Sequence, residues 1–526
     1  MIYKNIELTL LPKQAYLENL LKECVAGKIN IPVKRISFIR ILRKSIDARS
    51  KVQVKVNLAV DVYTDLSQPE KNPYPFHYKD VEKSKTVIVV GTGPAGLFAA
   101  LRLIELGYKP LVFERGQEIG KRKKEIAKLN QNNGLNTESN YCFGEGGAGT
   151  FSDGKLFTRS KKKGDSSRIL LNFHQHGAQD EILYEAHPNI GTDKLPEIIK
   201  NMRHTILKYG GMIHFETKIT KLIIENQTIR GVQTSTGAEY FADAVILATG
   251  HSATDVYEML QTQGVQLESK GFAMGVRVEH PQSLIDKIQY HTKERGEYLP
   301  AATYNLVTQV EERGVYSFCM CPGGFIIPAA TAANGIVVNG MSSSRRNSEY
   351  ANSGIVVEIR PEDIDMDEYA QYGALAGIKF QQYYENLAYV NGSGGQIAPA
   401  QRLLDFVKGR LSADLPSNSY SPGLVASPLH FWLPSFICKR LQKGFLDFDR
   451  KMKGFLTNEA LIVGVESRTS SPVRIPRNAE TLQHVAISGL FPCGEGAGYA
   501  GGITSSAIDG EKCAEKVAEY NFILSK

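Results

Sequence analysis

Between residues 52 and 62 the apolar positions Val52, Val54, Val56, Leu58, Val60 and Val62 recur at every second residue. That period predicts a strand with one buried face. Upstream, "IYKNIELTLL" predicts a strand, "KQAYLENLLKECVAG" a helix ending at Gly27, and "KRISFIRILRKSIDARSK" a second amphipathic strand, so residues 1–66 form a small βαββ unit. "LSQPEKNPYPFHYKD" holds three prolines and no period, which makes residues 67–83 a linker with few contacts.

From Ser84 the pattern changes to unbroken apolar runs flanking a helical stretch, in "VIVVGTGPAGLFAALRLIELGYKPLVFERG". This is the opening βαβ of a parallel sheet buried on both faces. "ADAVILATGHSA" (242–253) is another apolar strand ending in a glycine turn, and the segment 485–520 reads as strand, glycine loop and helix. Between them, short alternating runs such as "FAMGVRVEH" and "NGIVVNGM", with a helical stretch around 364–389, predict an inserted antiparallel domain. The strands ending at Val90, at Gly250 and near Gly494 are expected in one domain.

Charge and cysteine content narrow the partners. The 526 residues carry a formal charge of +7, and residues 1–84 hold fifteen Lys and Arg against nine Asp and Glu. A basic segment can serve a nucleic-acid partner, but its alternation with apolar residues favours a solvated sheet face. Seven cysteines form no CxxC pair and no dense framework, so neither structural disulfides nor a metal site is expected. No eighteen apolar residues run together and the first thirty lack a signal pattern, so a cytoplasmic location away from membranes is expected.

The glycines after the first apolar run carry the chemistry. Gly91 permits a tight turn, Gly93 a bare backbone and Gly96 a close helix-to-strand approach, so a diphosphate can sit at the helix N-terminus beside Pro94 and Ala95. Glu114, followed by Arg115, ends the second strand about twenty residues on, where a carboxylate accepts both ribose hydroxyls. The motif is weak alone and strong in this strand-to-helix setting. It predicts a Rossmann-like α/β domain in two parts, 84–264 and 461–526, around an inserted β-rich α+β domain at 265–460.

With Ala248, Thr249 and Gly250 ending one strand, and Gly494 and Glu495 opening the late glycine loop, the chain resembles the two-domain flavoproteins related to glutathione reductase. "NYCFGEGGAGTFSDGKLFTR" (140–159), "YSFCMCPGG" (316–324) and "GVESRTSSPVRIPR" (464–477) are similar to the bacterial family of uncharacterised FAD-dependent, NAD(FAD)-utilising dehydrogenases, over nearly the whole length. The resemblance implies a noncovalent FAD and no particular substrate. Most of the superfamily carries Asp where Glu495 stands.

A flavin performs its own electron transfer, so the protein must hold it and place charge and substrate against it. Gly146, Gly147 and Gly149 are expected to allow close backbone approach, with Ser152, Asp153 and Lys155 as polar contacts and Lys155 as a cation favouring reduced flavin. Ile219, Gly502 and Ile503 complete the cofactor set, the last two at a helix N-terminus. Cys319 and Cys321 are expected on one face of a strand, roughly 6.5–7 Å apart, too far and too parallel for a disulfide. His251 and His280, the latter beside Arg277 and Glu279, are acid–base candidates; Arg468, Ser470 and Arg474 are candidates for an anionic small-molecule substrate. No second GxGxxG stands between strand and helix, so NAD(P)H, where used, binds transiently at the insert. The expected function is an FAD-dependent oxidoreductase; the alternatives are a flavin-binding RNA-associated or regulatory protein, and a flavin-dependent RNA-modifying enzyme.

Overall fold

The structure is a computed structural model that describes residues 1–65, 67, 74–157, 164–364 and 366–524. At its centre lies a five-stranded sheet in the order Leu490–Pro492, Val245–Leu247, Thr86–Val90, Lys109–Phe113, Met212–His214. Every pair is parallel: Leu247 lies beside both Val90 and Pro492, Val90 beside Phe113, and Phe113 beside His214. The strands ending at Val90, before Gly250 and before Gly494 are therefore immediate neighbours, and their carboxyl ends share one edge. Val87, Ile88 and Val89 are fully buried, as expected of a sheet covered on both faces.

The helix Pro94–Leu106 starts with proline at its first position and stops at Gly107 in the left-handed conformation. Against it lies the C-terminal helix Ile503–Leu524. Their approach depends on small residues, since a Cβ on Gly510 would collide with the Ala95 carbonyl. A separate antiparallel ladder, Ile219–Glu225 with Thr228–Thr234 and Glu239–Phe241, flanks the central sheet.

The insert is built on a seven-stranded sheet in the order Val307–Val310, Arg313–Cys321, Tyr350–Ile359, Phe272–Pro281, Leu461–Glu466, Ala398–Arg402, Leu424–Ala426. Only its last pair is parallel. This moves one predicted boundary. Leu461–Glu466, which the expected boundary at residue 461 puts in the second part of the cofactor domain, pairs with Phe272–Pro281 and Ala398–Arg402 inside the insert. The helices Ala376–Val390 and Ser435–Lys451 pack on this sheet, which explains why a central antiparallel strand carries no polar alternation.

The N-terminal unit is the expected βαββ, an antiparallel sheet in the order Ile2–Leu10, Lys55–Thr64, Ile36–Asp47. Its helix, Glu18–Ile29, runs past Gly27 and ends at Asn30 in the left-handed conformation. Some of its basic residues meet carboxylates in exposed pairs: Arg43 with Glu7, Arg35 with Asp65 and Arg49 with Asp47. Part of the linker lies outside the described residues, and the rest departs from expectation. Phe76 is only 7% exposed beneath the Arg168 guanidinium, the Tyr74 hydroxyl lies 2.7 Å from His174 Nδ1, and Val81 is fully buried. The aromatics beside the prolines anchor this segment to the cofactor domain. Lys44 also pairs with Glu185, and Val54 joins the core of the insert. Among the described residues no helix is long and apolar enough to cross a membrane.

Phe76→Ala is expected to cost about 3–5 kcal/mol, read as a lowered urea midpoint. Val52→Ala, at a side chain 93% exposed, should stay within about 0.5 kcal/mol of the parent. A Phe76→Ala protein unfolding with the parent's midpoint would show that this segment is only a spacer.

Candidate functional site

A cavity of about 1590 Å³ opens at the carboxyl edge of the central sheet, between it and the insert. Ligands of open parallel sheets bind at this edge, where connections leave to either side. The three glycines of the first loop have separate tasks. Gly91 has φ +106° and a Cβ there would strike the Ala248 carbonyl, while a Cβ on Gly96 would strike the Gly91 carbonyl. Both are demanded by the fold. Gly93 lines the cavity, has an ordinary φ of −66°, and a Cβ on it would meet nothing nearer than Gly147 Cα at 3.9 Å. The fold leaves room for a side chain there.

Glu114 is 5% exposed at the cavity wall. Its Oε2 accepts from the Thr92 amide at 3.0 Å and the Thr92 hydroxyl at 2.6 Å; its Oε1 accepts from the amides of Gly116 at 2.9 Å and Gly144 at 3.0 Å. A carboxylate offers about four acceptor positions, and here protein donors take them. Glu114, expected to accept the ribose hydroxyls, is thus also a structural acceptor for the surrounding loops. Glu114 ties the first glycine loop, its own strand end and the loop after Asn140 into one unit. That later loop is held from behind by Arg122, fully buried, which donates to the carbonyls of Asn140, Tyr141 and Glu145. Burial pulls the Arg122 pKa down to about 10.

Pro94, Ala95, Arg115, Gly147, Gly149, Ser152, Ile219, Ala248, Thr249, Gly250, Glu495, Gly502 and Ile503 all line the cavity. Gly96, Gly146 and Gly494 stand outside the lining and serve the fold. A Cβ on Gly146 would collide with the Thr150 hydroxyl, and one on Gly494 would lie 2.8 Å from Ala95 Cβ. Arg115 is engaged by Asp255 at 2.8 Å and Glu138 at 2.7 Å.

Of the chemical candidates, Lys155, His251 and Cys319 reach the cavity. Lys155 donates to the Met320 carbonyl and lies 3.5 Å from Asp153, which also pairs with Arg346 at 2.9 Å. Burial opposes the Lys155 charge, but Cys321 and Asp153 outweigh it and hold the ammonium above the ordinary lysine value. His251 Nε2 donates to the Arg468 carbonyl at 3.1 Å, leaving Nδ1 3.4 Å from Glu495 Oε1. The two cysteines do not share a face. Cys319 sits at φ +48° in a bulge between Phe318 and Cys321, so it is exposed while Cys321 is fully buried beside Arg277. Burial pushes the Cys321 thiol up to about 11.

His280 is fully buried outside the lining, donates from Nε2 to the Phe455 carbonyl at 2.7 Å and is driven by burial down to about 4, so it is a structural group. Arg277, with no exposure, binds Glu466 at 3.1 Å, and Glu279 binds Ser419. Arg468 lines the cavity but spends its fork on Glu385 at 2.9 and 2.7 Å. Arg474 and Ser470 are outside the lining. Cys493, Asp509 and Cys513 bring ligand atoms within 4.8 Å of one another, yet the Arg477 guanidinium already occupies both Asp509 oxygens at 2.9 and 2.6 Å. Thr92, Arg122 and Arg346 were not singled out from sequence, because only the folded contacts reveal them.

The residues present suit FAD. Gly93 leaves a bare backbone at a helix N-terminus, and Cβ atoms on Gly501 and Gly502, before the second helix, would meet nothing within 4 Å. Asp153 Oδ1 and Arg346 Nε, on residues lining the cavity, are buried without a protein partner.

Comparison with known proteins places this geometry. Residues 271–469 match the family described as "FAD-dependent protein, C-terminal domain-like", residues 86–273 that described as "Glucose inhibited division protein A", and residues 1–63 a domain of unknown function. An uncharacterised protein of Clostridium beijerinckii is 41% identical over 519 residues, spanning 95% of this chain and 96% of its own. The tRNA uridine 5-carboxymethylaminomethyl modification enzyme MnmG of Alkaliphilus metalliredigens is 27% identical over 179 residues, 31% of this chain and 24% of that protein. Among solved structures, an oxidoreductase from Methanosarcina mazei aligns with 82% of this chain and 100% of its own, at 13% identity and a TM-score of 0.32. With a relative of 41% identity along nearly its whole length and an FAD-dependent family match over residues 271–469, the chain belongs to a family of uncharacterised FAD-dependent proteins, and FAD is its cofactor.

Proposed function

We propose that the protein is an FAD-dependent oxidoreductase acting on a small molecule that enters from the insert's side of the cavity. The observation that supports this best is the convergence of three segments distant in sequence, around Gly93, Thr249 and Gly502, on one cavity that the insert covers. Bound FAD supplies hydride or electron transfer. The chain supplies the rest. The first glycine loop offers backbone amides and a helix N-terminus to a diphosphate. The helix starting at Ile503 presents a second N-terminus to the same cavity. Lys155 places a fixed positive charge in the wall, and His251 with Glu495 forms a pair able to hold a proton at Nδ1. The insert's strand Arg313–Cys321 contributes Ser317, Phe318, Cys319 and Met320 to the cavity lining.

A second reading, flavin-dependent RNA modification, draws on the match to MnmG, which covers 31% of this chain. Anaerobic titration with NADH and NADPH, followed by a substrate screen and nucleoside analysis of tRNA from a deletion strain, separates the two readings.

The purified protein should be yellow and release FAD on heat denaturation. Gly93→Ala is expected to keep the parent's thermal midpoint as apoprotein and lose at least about tenfold in FAD affinity, roughly 1.4 kcal/mol, because its Cβ enters space the fold leaves empty. Gly96→Ala should instead lower stability by about 1–3 kcal/mol or more through overpacking. Gly93→Ala with undiminished FAD content would place the diphosphate elsewhere. The double variant Cys319→Ser, Cys321→Ser should leave flavin reduction within a few-fold of the parent in stopped-flow experiments. Loss by orders of magnitude with FAD still bound would make the pair part of the reaction.

A further inference from the structure

The cavity is larger than the roughly 300–1,000 Å³ of an ordinary ligand pocket, and its outer part has a chemistry the glycine loops do not share. Three segments far apart in sequence build it. Lys51 stands at the tip of the N-terminal hairpin between Ile36–Asp47 and Lys55–Thr64, Lys287 on the helix Gln282–Tyr290, and Arg450 and Lys453 around the end of the helix Ser435–Lys451. They are held together by packing: Val54 of the hairpin shares a core with Ile288 and Met452, and the Gln289 amide contacts the Met452 sulfur at 3.3 Å.

The charge at this end is largely uncommitted. Lys51 and Lys287 have no carboxylate partner among the described residues. Arg450 and Lys453, 79% and 89% exposed, pair only with their helix neighbours Asp447 and Asp449. Exposed pairs of that kind are worth at most about 1 kcal/mol, so both cations remain available to a ligand. Over the whole lining, Lys and Arg outnumber Asp and Glu ten to three. A cleft lined by one sign of charge focuses its field inward.

We propose that the outer part of the cavity is a second site, for a phosphate-bearing small molecule that meets the FAD-binding part, and that the N-terminal domain completes it with Lys51. The proposal rests on the reading of the inner part as the FAD site. Four cations on three segments exceed what one carboxylate can use, whereas a diphosphate or a phosphorylated nucleotide engages several at once. Lysines suit phosphate as point charges. All four are exposed residues that share the lining of one cavity, so a small anion that reaches into the cavity can engage them together with its inner part.

The test uses the full-length FAD-loaded protein. Calorimetric titration with inorganic pyrophosphate and with 2′-phospho-ADP-ribose, at low and moderate salt, should show binding that weakens as salt rises. The double variant Lys51→Glu, Lys287→Glu should weaken it at least tenfold. FAD content, read from visible absorbance of the same samples, should not change and reports the inner site separately. Tighter binding of 2′-phospho-ADP-ribose than of pyrophosphate identifies a nucleotide as the source of the phosphate; equal binding identifies a simpler phosphorylated molecule. The proposal is overturned if neither probe binds, if the double variant binds both as the parent does, or if a single-stranded RNA oligomer binds in a charge-dependent way while pyrophosphate does not.

Discussion

One buried carboxylate holds the cofactor end of this protein together. Glu114 receives donors from three stretches of chain: Thr92 in the first glycine loop, Gly116 just beyond its own strand, and Gly144 in the loop that Arg122 supports. Hydrogen bonds to a charged acceptor contribute about 1.5–3 kcal/mol each, and a buried charge left without them is costly. The loops are thus coupled, since none can leave without exposing or orphaning the carboxylate. Gly93 reaches the cavity with its backbone bare because its neighbours on either side are fixed, Thr92 by Glu114 and Gly96 by contact with Gly91.

The rest of the architecture follows from what that cradle must face. Parallel pairing brings the strands before Gly250 and Gly494 beside the strand ending at Val90, so late sequence supplies the second helix N-terminus at the same edge. The insert leaves the cofactor domain and returns to it close by, where Glu268 and Ser269 pair with Val473 and Arg474. Its sheet therefore stands over the cavity as a wall. The N-terminal unit is fixed to both, through Lys44 and Glu185 on one side and Val54 on the other.

Much of this was legible in the order of residues. Unbroken apolar strands, glycines at fixed offsets and alternation in Val54–Val62 are local patterns, and local patterns survive into the fold. What escaped was set by tertiary contact. The strand Leu461–Glu466 carries the apolar run of a parallel strand because helices cover the antiparallel sheet it belongs to. The separation of Cys319 from Cys321 depends on a left-handed residue that no spacing rule announces. The acceptors of Glu114 are taken by amides whose positions depend on the loop after Asn140. Phe76 and Tyr78, just past the prolines that signal a spacer, turned out to be anchors against the cofactor domain.

The most direct measurement is made on Glu114→Gln, which keeps the shape and replaces one acceptor oxygen by an amide that donates. Hydrogen exchange at Thr92, Gly116 and Gly144 and FAD affinity are followed together in parent and variant. If the carboxylate couples the loops that hold the cofactor, exchange accelerates at whichever donors then face the amide nitrogen, Thr92 on one side or Gly116 and Gly144 on the other, and FAD binding weakens at least about tenfold, roughly 1.4 kcal/mol. Unchanged exchange with unchanged FAD affinity would contradict the account.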